Sequence, residues 1–565
     1  MQAGSAADRV SLYRPVFVGR EAELQRLQSA YEDAVQGRPA LVALAGEPGI
    51  GKTALCTQLA KYVSSRGGRV LWGHCAETEA LSLAYLPIVQ ALEEYTSSMD
   101  TLELRDDLGS SASALARIVP QLRQRLCVDV EPASDPDEDR WRLFQAVITM
   151  LRSGAARQPI VLMLEDVHEA DRGTLDLLTH FARHIGDARL LVLGTYRDVE
   201  VDRTHPLAST LAELRRFPHF ARLGLHGLSI AEVHRFYCEV RGQDVSLSRA
   251  QTVHQQTEGN PLFVQEVLRY LVEAGLVVQR DGAYVPKDVS LIEAEVPEGL
   301  RDIVGKRLNH LSEPTNEVLH IAAVIGHEFR LDVLQRVCGL DEEVLFEALE
   351  EAQARALIDE AGGFGTSVRF RFTHAFFRQT LYDEIFAARR IRWHRLIGSV
   401  LEQVYSDRLD EHAGELAVHF AHSSDPADLA RAIAFDERAA EQAVQVYAYG
   451  EAARHLERAL LVESALDTRE PLKRCDLLLA MGEAMLAMEQ SPRRVVGTAR
   501  EAFQLAETHA DERRAARAAG QVVDALSRPW PSGLEDTAEA HEWVGRLDRL
   551  AAPESTERVY ADIWV

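Results

Sequence analysis

Gly46-Glu47-Pro48-Gly49-Ile50-Gly51-Lys52-Thr53 fits the pattern G-x-x-x-x-G-K-[ST]. Backbone N–H groups in such a loop curl around phosphates without Cβ interference, and the start of the following helix adds partial positive charge. The spacing assigns Lys52 to the β- and γ-phosphates and the Thr53 hydroxyl to Mg²⁺, with Ala54 continuing the amide row. Lysine occupies only 5 of 565 positions, so a chance match is rare. A second group of chemical residues is the adjacent acids Glu165 and Asp166, which close the apolar run PIVLML. Emerging at the same sheet edge, such a pair holds one carboxylate against the Mg²⁺ shell and another near an attacking water. Read alone, the same run is a buried strand ending in a solvated acidic turn. Arg197, at the end of LLVLGTYR, is placed to sense a γ-phosphate.

The elements that must position these groups are legible. PALVALAG reads as a buried parallel strand, and Leu55, Leu59 and Val63 then recur at helical spacing. GRVLWGHC (68–75), the runs at 159–165 and 188–198, and an edge strand within RLGLHGLS (222–229) complete an alternation of strands and helices. That alternation predicts a parallel α/β sheet covered on both faces. Guanine-specific readers of the common type use N-K-x-D, and no lysine here follows an asparagine. Adenine is the expected base, with ATP or ADP and Mg²⁺ as cofactors.

Composition bounds the remainder. A chain of 565 residues with 46% hydrophobic and 26% charged residues is of ordinary globular type and long enough for three or four domains. The net charge of −25 repels nucleic-acid backbones, and no basic module offsets it, so no direct nucleic-acid binding is expected. Six scattered cysteines without a CxxC pair read as buried thiols in a reducing cytosol. No h-region or membrane-length apolar run is present, which predicts a cytoplasmic protein without membrane contact.

The ordered motifs VFVGREAEL (16–24), GEPGIGKT, LEDVHEADRGTLDLL, LLVLGTYRD, TEGNPLFVQEV (257–267) and FRFTHAFFRQTLYDEI (370–385) resemble the signal-transduction ATPases with numerous domains, the STAND class. The resembling subgroup has an ORC-like AAA ATPase domain and occurs in large LuxR-type regulators and in proteins fused to class III nucleotide cyclases. The resemblance implies that Val18, Gly19 and Arg20 lie by the adenine, that Arg197 is a sensor arginine, that Pro261 belongs to a lid over the base, and that His374 contacts the β-phosphate in a closed ADP state. Read without it, VGRE is a turn and helix start with Arg20 in a surface ion pair, Pro261 an ordinary helix-to-helix turn, and His374 a cap or satisfied core group. Two departures stand out. Many members have Asp-Asp or Asp-Glu where this chain has Glu165-Asp166, so Glu165 touches Mg²⁺ either directly or through water. VHEAD replaces the common HWAD and loses a packing tryptophan.

The expected layout is a tail (1–15), a P-loop ATPase domain (16–228), a helical lid (229–290), a winged helix (291–390) and an all-α, TPR-like solenoid (391–565). Ser229 and Glu232 form a capping box at the lid's first helix, and 280–296 reads as a hairpin or linker. The helix RLDVLQRVCG carries two arginines and precedes LDEEVLFEALEEA, which favours an internal clamp over a DNA reader. The alanine-rich helices beyond 390 are TPR-like pairs or a plain bundle, and a solenoid would offer a concave face to a protein or small-molecule inducer. The final ESTERVYADIWV shows no polar capping repeat, the pattern expected of an incomplete array. The functional expectation is a slow ATP-hydrolysing switch, the regulatory part of a LuxR-type regulator, with nucleotide-dependent homo-oligomerisation. The alternatives are an AAA+ motor that remodels a protein, a regulatory ATPase associated with a nucleotide cyclase, and a scaffold with a degenerate site.

Overall fold

Apolar runs bounded by turn residues become strands, and five strands make the central sheet, the three inner ones buried along most of their length. The computed structural model describes residues 17–75, 84–129, 136–241, 247–273, 277–280, 283–286, 305, 307–308, 311–362, 368–466, 470–488, 492–528 and 537–564. The tail 1–15 and most of the 280–296 linker lie outside the described residues. Strands β1 (Ala40–Ala45), β2 (Arg69–His74), β3 (Ile160–Glu165), β4 (Leu190–Tyr196) and β5 (Phe220–Gly224) are hydrogen-bonded in the order β2-β3-β4-β1-β5. Each pairing is parallel. The expected parallel sheet is thus present, and β5 is an edge strand that begins two residues earlier than its sequence pattern marked.

The order has a consequence for chemistry. Strand β4 stands between β1 and β3, with Ala45 opposite Tyr196 and Leu164 opposite Gly194. Gly46, Asp166 and Arg197 therefore leave the sheet at one edge, the carboxyl ends of three adjacent parallel strands, where ligands bind in open α/β sheets.

Helices Glu21–Val35 and Lys52–Ser65 cover one part of the sheet. Leu27, Tyr31, Leu55, Leu59 and Val63 pack with Val42, Leu44, Val161, Met163, Leu191 and Leu193 in one buried cluster. Fully burying each such aliphatic side chain contributes roughly 1.5–3 kcal/mol, so the spacing of Leu55, Leu59 and Val63 fixes which helix face turns inward.

Contact clustering of the described residues gives two compact units, one drawn from Met1–Glu77, Leu151–Glu169 and Phe181–Val400, the other from Thr78–Met150, Ala170–His180 and Leu401–Val565. The first unit holds the sheet, then helices Ile230–Arg241, Leu247–Thr257 and Pro261–Glu273. The capping box forms: Ser229 donates its N–H to Glu232 Oε2 at 2.8 Å, and Glu232 returns its N–H to Ser229 Oγ at 3.3 Å. Helices Glu313–Ile325, Leu331–Cys338 and Glu342–Ala354 follow, with a three-stranded antiparallel sheet in which Arg369–Phe372 lies between Glu328–Arg330 and Ile358–Gly362. The two later strands come from the ends of the segment IDEAGGFGTSVRFRF. Glu328–Arg330 is additional, too short to show a period.

The second unit is helical among its described residues. Helices Leu86–Ser97, Thr101–Leu108 and Gln121–Leu126 come from the stretch between β2 and β3, and eight more run from Ala413–Ala421 to Thr556–Trp564. Helices of the later set pack together, successive ones through Phe420 stacked on Phe435 at 6.0 Å, and helices two apart through Phe503 edge-on to Trp543 at 5.1 Å. The Arg117 guanidinium lies 4.8 Å over the Tyr447 ring and donates to the Gln445 carbonyl at 3.0 Å. Asp171, also in this unit, accepts the N–H groups of Tyr85 at 3.1 Å and Thr174 at 2.9 Å and the Thr174 hydroxyl. Burial, with Glu451 adding like charge, pushes the Asp171 carboxyl up to about 6. No described helix is long and apolar enough to cross a membrane.

Candidate nucleotide site

The loop after β1 turns because glycine permits it. Gly49 and Gly51 have φ of 75° and 99°, in the left-handed region. A Cβ on Gly49 would sit 2.7 Å from the Leu262 side chain, so glycine also admits that side chain here. Lys52 begins the next helix and is buried, its Nζ donating to the carbonyls of Gly46 at 2.8 Å and Glu47 at 3.0 Å. Burial pushes its ammonium below the ordinary lysine value, and Asp166 opposes that shift.

Thr53 and Glu165 come together, as a shared Mg²⁺ pair requires. Burial raises the Glu165 carboxyl, but His74 and the Thr53 hydroxyl outweigh it and hold the group below its ordinary value. His74 Nδ1 is 2.9 Å from Glu165 Oε2. Glu165 Oε1 is buried and makes no hydrogen bond among the described residues. An orphaned carboxylate oxygen beside a hydroxyl is a hard-oxygen donor set that fits Mg²⁺. Asp166 adopts φ 55° and donates its N–H to Thr195 Oγ1 at 3.0 Å, tying the end of β3 to β4. Arg197 Nη1 donates to Glu200 Oε1 at 2.9 Å, and its charge acts on Lys52.

The entry motif packs against the same loop. Gly19 has φ 70°, and a Cβ there would lie 2.8 Å from Leu228. Val18 is buried. Arg20 is only 7% exposed and donates to the carbonyls of Ile50, at 3.1 Å, and His226. It is therefore a buried clamp between the phosphate loop and the segment after β5, and the ion pair that the local sequence also allowed forms beside it, half-buried, with Glu23 at 3.4 Å. The start of helix Pro261–Glu273 meets the loop through Asn260, whose Nδ2 donates to the Pro48 carbonyl at 2.9 Å, and through Leu262 N–H, 3.3 Å from the Gly49 carbonyl. Pro261 opens the helix Pro261–Glu273 beside them.

His374 stands at the start of helix Ala375–Glu384, and its side chain makes no cap hydrogen bond. Burial pushes its ring down to about 4, with Glu266 opposing and Arg269 and His327 assisting. Glu266 is fully buried and accepts from Arg269 at 2.7 Å and from Arg307, which also donates to the Arg355 carbonyl at 2.7 Å. The surroundings of His374 are thus a buried ion-pair network joining the lid helix to the following helical segment.

Local sequence missed His74, Asn260 and Arg371. Arg371, on the strand Arg369–Phe372, acts electrostatically on Glu165 across about 200 residues of chain. Each is an unremarkable polar residue whose partner is set by the fold, although the Asn260-Pro261 turn signal pointed to the right place.

Residues 16–193 match a family model described as the AAA ATPase domain. An uncharacterized protein of Rhizobium meliloti (strain 1021) is 25% identical over 430 residues, 71% of this chain and 39% of that protein. The chain thus spans well under half the length of that curated relative. Hybrid signal transduction histidine kinase G of Dictyostelium discoideum is 30% identical over 115 residues, 20% of this chain and 3% of that protein. A STAND protein with a tetratricopeptide repeat sensor from Pyrococcus horikoshii is similar in structure at 13% identity and a TM-score of 0.39, covering 97% of this chain and 73% of that one. With the loop, the acid pair and the strand order just described, residues 16–193 form an AAA ATPase domain, consistent with the STAND resemblance of the motifs.

Proposed function

We propose that this chain is a nucleotide-gated signalling switch that binds ATP with Mg²⁺ at residues 46–54 and hydrolyses it slowly. The observation that carries the reading is the meeting of the Thr53 hydroxyl with a buried Glu165 whose Oε1 lacks a protein partner, in a loop bridged to the lid by Asn260. Mg²⁺, when bound, neutralises charge on the phosphate oxygens, and Thr53 and Glu165 are the residues that would hold it. Lys52 leaves its carbonyl partners for the β- and γ-phosphates. Asp166, anchored through Thr195, takes the proton from the attacking water as the bond to the γ-phosphorus forms and the β–γ bridging bond breaks. Arg197 stabilises charge on the γ-phosphate, Val18, Gly19 and Arg20 line the adenine side, and Pro261 and His374 serve the lid and the closed ADP state.

Around this centre we place an ATPase domain at 16–228, a lid at 229–290, a winged helix at 291–390 and a TPR-like array at 391–565. The array receives a protein or small-molecule inducer, nucleotide state biases assembly, and the output is that of a LuxR-type regulator in the cytoplasm. Support for slow turnover lies in the lid contact: Asn260 and Leu262 both hydrogen-bond loop carbonyls, so product release requires their separation. Equilibrium binding of a fluorescent ATP analogue tests the site. Wild type should bind, and Lys52→Ala should bind at least ~100-fold more weakly for loss of a charge-assisted contact to phosphate. Equal binding by the two proteins would refute the assignment.

A further inference from the structure

Two short turns follow the adjacent strands β3 and β4: Val167–Glu169 and Asp198–Glu200. The sheet brings His168, Glu169 and Glu200 together so that one ligand atom from each lies within 4.8 Å of the others. His168 Nε2 is 3.3 Å from Glu200 Oε2 and 3.8 Å from Glu169 Oε1. The His168 side chain is 1% exposed. Neither of its ring nitrogens makes a hydrogen bond among the described residues. A buried imidazole without a hydrogen bond is costly.

We propose that His168, Glu169 and Glu200 form a binding site for a divalent transition-metal ion, built from different residues than the Mg²⁺ pair Thr53 and Glu165. Separations of 3.3 and 3.8 Å between donor atoms are those of neighbouring ligands around an ion bound at roughly 2.0–2.2 Å. One imidazole with two carboxylates selects Zn²⁺, Co²⁺ or Mn²⁺ over Mg²⁺, which prefers oxygen alone. Asp166 Oδ1 lies 3.9 Å from His168 Nδ1, the side from which a carboxylate fixes the tautomer of a ligating histidine. Glu169 and Glu200 are 33% and 39% exposed in their side chains, so an ion enters from the carboxylate side. Arg197 opposes the ion electrostatically, but it engages Glu200 through Oε1 and leaves Oε2 turned to the ring. Lys52 adds a second opposing charge, and the three carboxylates Asp166, Glu169 and Glu200 exceed the pair. Occupancy ties the turn after β3 to the turn after β4, next to Asp166 and Arg197.

The test is a Co²⁺ titration of the full chain after chelator treatment, without nucleotide, followed by visible absorption. The expected result is a saturable set of d–d bands in wild type that Zn²⁺ displaces. Glu200→Gln and His168→Gln should weaken it by about 10- to 100-fold, the scale of losing part of a metal's ligand environment. Glu200 is a half-exposed turn residue, so its variant reports even where replacing the buried His168 impairs folding, which circular dichroism reveals. Bands of unchanged intensity and affinity in folded Glu200→Gln, or no displaceable bands in wild type, would overturn the proposal. Because no nucleotide is present, neither outcome depends on the ATPase reading.

Discussion

Glu165 and Asp171 lie six residues apart in the segment LEDVHEAD; Asp171 is buried, and Glu165 is mostly so, with one oxygen fully enclosed. Their surroundings drive them in opposite directions. At Glu165 the His74 ring and the Thr53 hydroxyl outweigh burial, and the group stays ionised with one oxygen to spare. At Asp171 burial wins, Glu451 adds like charge, and the hydrogen bonds from Tyr85 and Thr174 recover only part of the loss. Glu165 is equipped to meet a cation. Asp171 is spent internally, holding the start of helix Arg172–His184 to the segment before helix Leu86–Ser97. Environment, more than residue type or motif position, separates a reactive carboxylate from a structural one.

The sharpest way to break this contrast is to neutralise each acid. Glu165→Gln should lower ATP turnover by ~100-fold or more, the scale of losing a preorganised electrostatic partner, whereas Asp171→Asn should leave it within about 2-fold; phosphate release measures both. If the two variants lost activity equally, the division of labour would be wrong.

Stability against pH gives the next largest effect. The folded Asp171 carboxyl, at about 6, lies above the ordinary 3.8, so the folded state binds the extra proton. Its contribution is fully present below about pH 4 and is lost as pH rises through about 6, a change of up to ~3 kcal/mol. Asp171→Asn removes that dependence, so the variant should gain on wild type between pH 4 and 7 in parallel thermal melts. For Glu165, whose carboxyl is depressed below 4.5, the sign reverses, and its stabilisation is lost only as pH falls below the ordinary value.

Two smaller effects sharpen the picture of the site. Asn260→Ala removes the bond to the Pro48 carbonyl, worth about 1 kcal/mol, and should weaken nucleotide affinity by about 5-fold in equilibrium binding. His74→Gln should move the acid limb of turnover upward by less than about one pH unit, because His74 is half exposed and its pairing with Glu165 is screened. An acid limb that did not move would show that Thr53 and Arg371 govern Glu165 without His74.

The strands and the phosphate loop were readable in sequence because their signals are local. Apolar runs such as IVLMLE are buried in register order, and the loop's glycines sit at fixed spacing. The placement of β4 between β1 and β3 was not readable, since several strand orders satisfy the same alternation. The helices between β2 and β3 also escaped notice. Pro87 and Gly109 interrupt their pattern, and no motif marks them. Their grouping with residues 401–565 in one unit, against an expected boundary at 228, depends on contacts such as Arg117 with Tyr447, which no local window contains. His74 and Asn260 were hidden for the same reason. Arg20 was found by its motif, although the sequence could not say that its guanidinium is buried on the Ile50 carbonyl.

Nucleotide retention and turnover together test the switch most directly. The purified 565-residue chain should release adenine nucleotide on denaturation, largely as ADP, and should turn over added Mg²⁺–ATP well below the ~1 per second of ordinary enzymes. Nucleotide-free protein that hydrolyses ATP at that rate or faster, without any added partner, would contradict it.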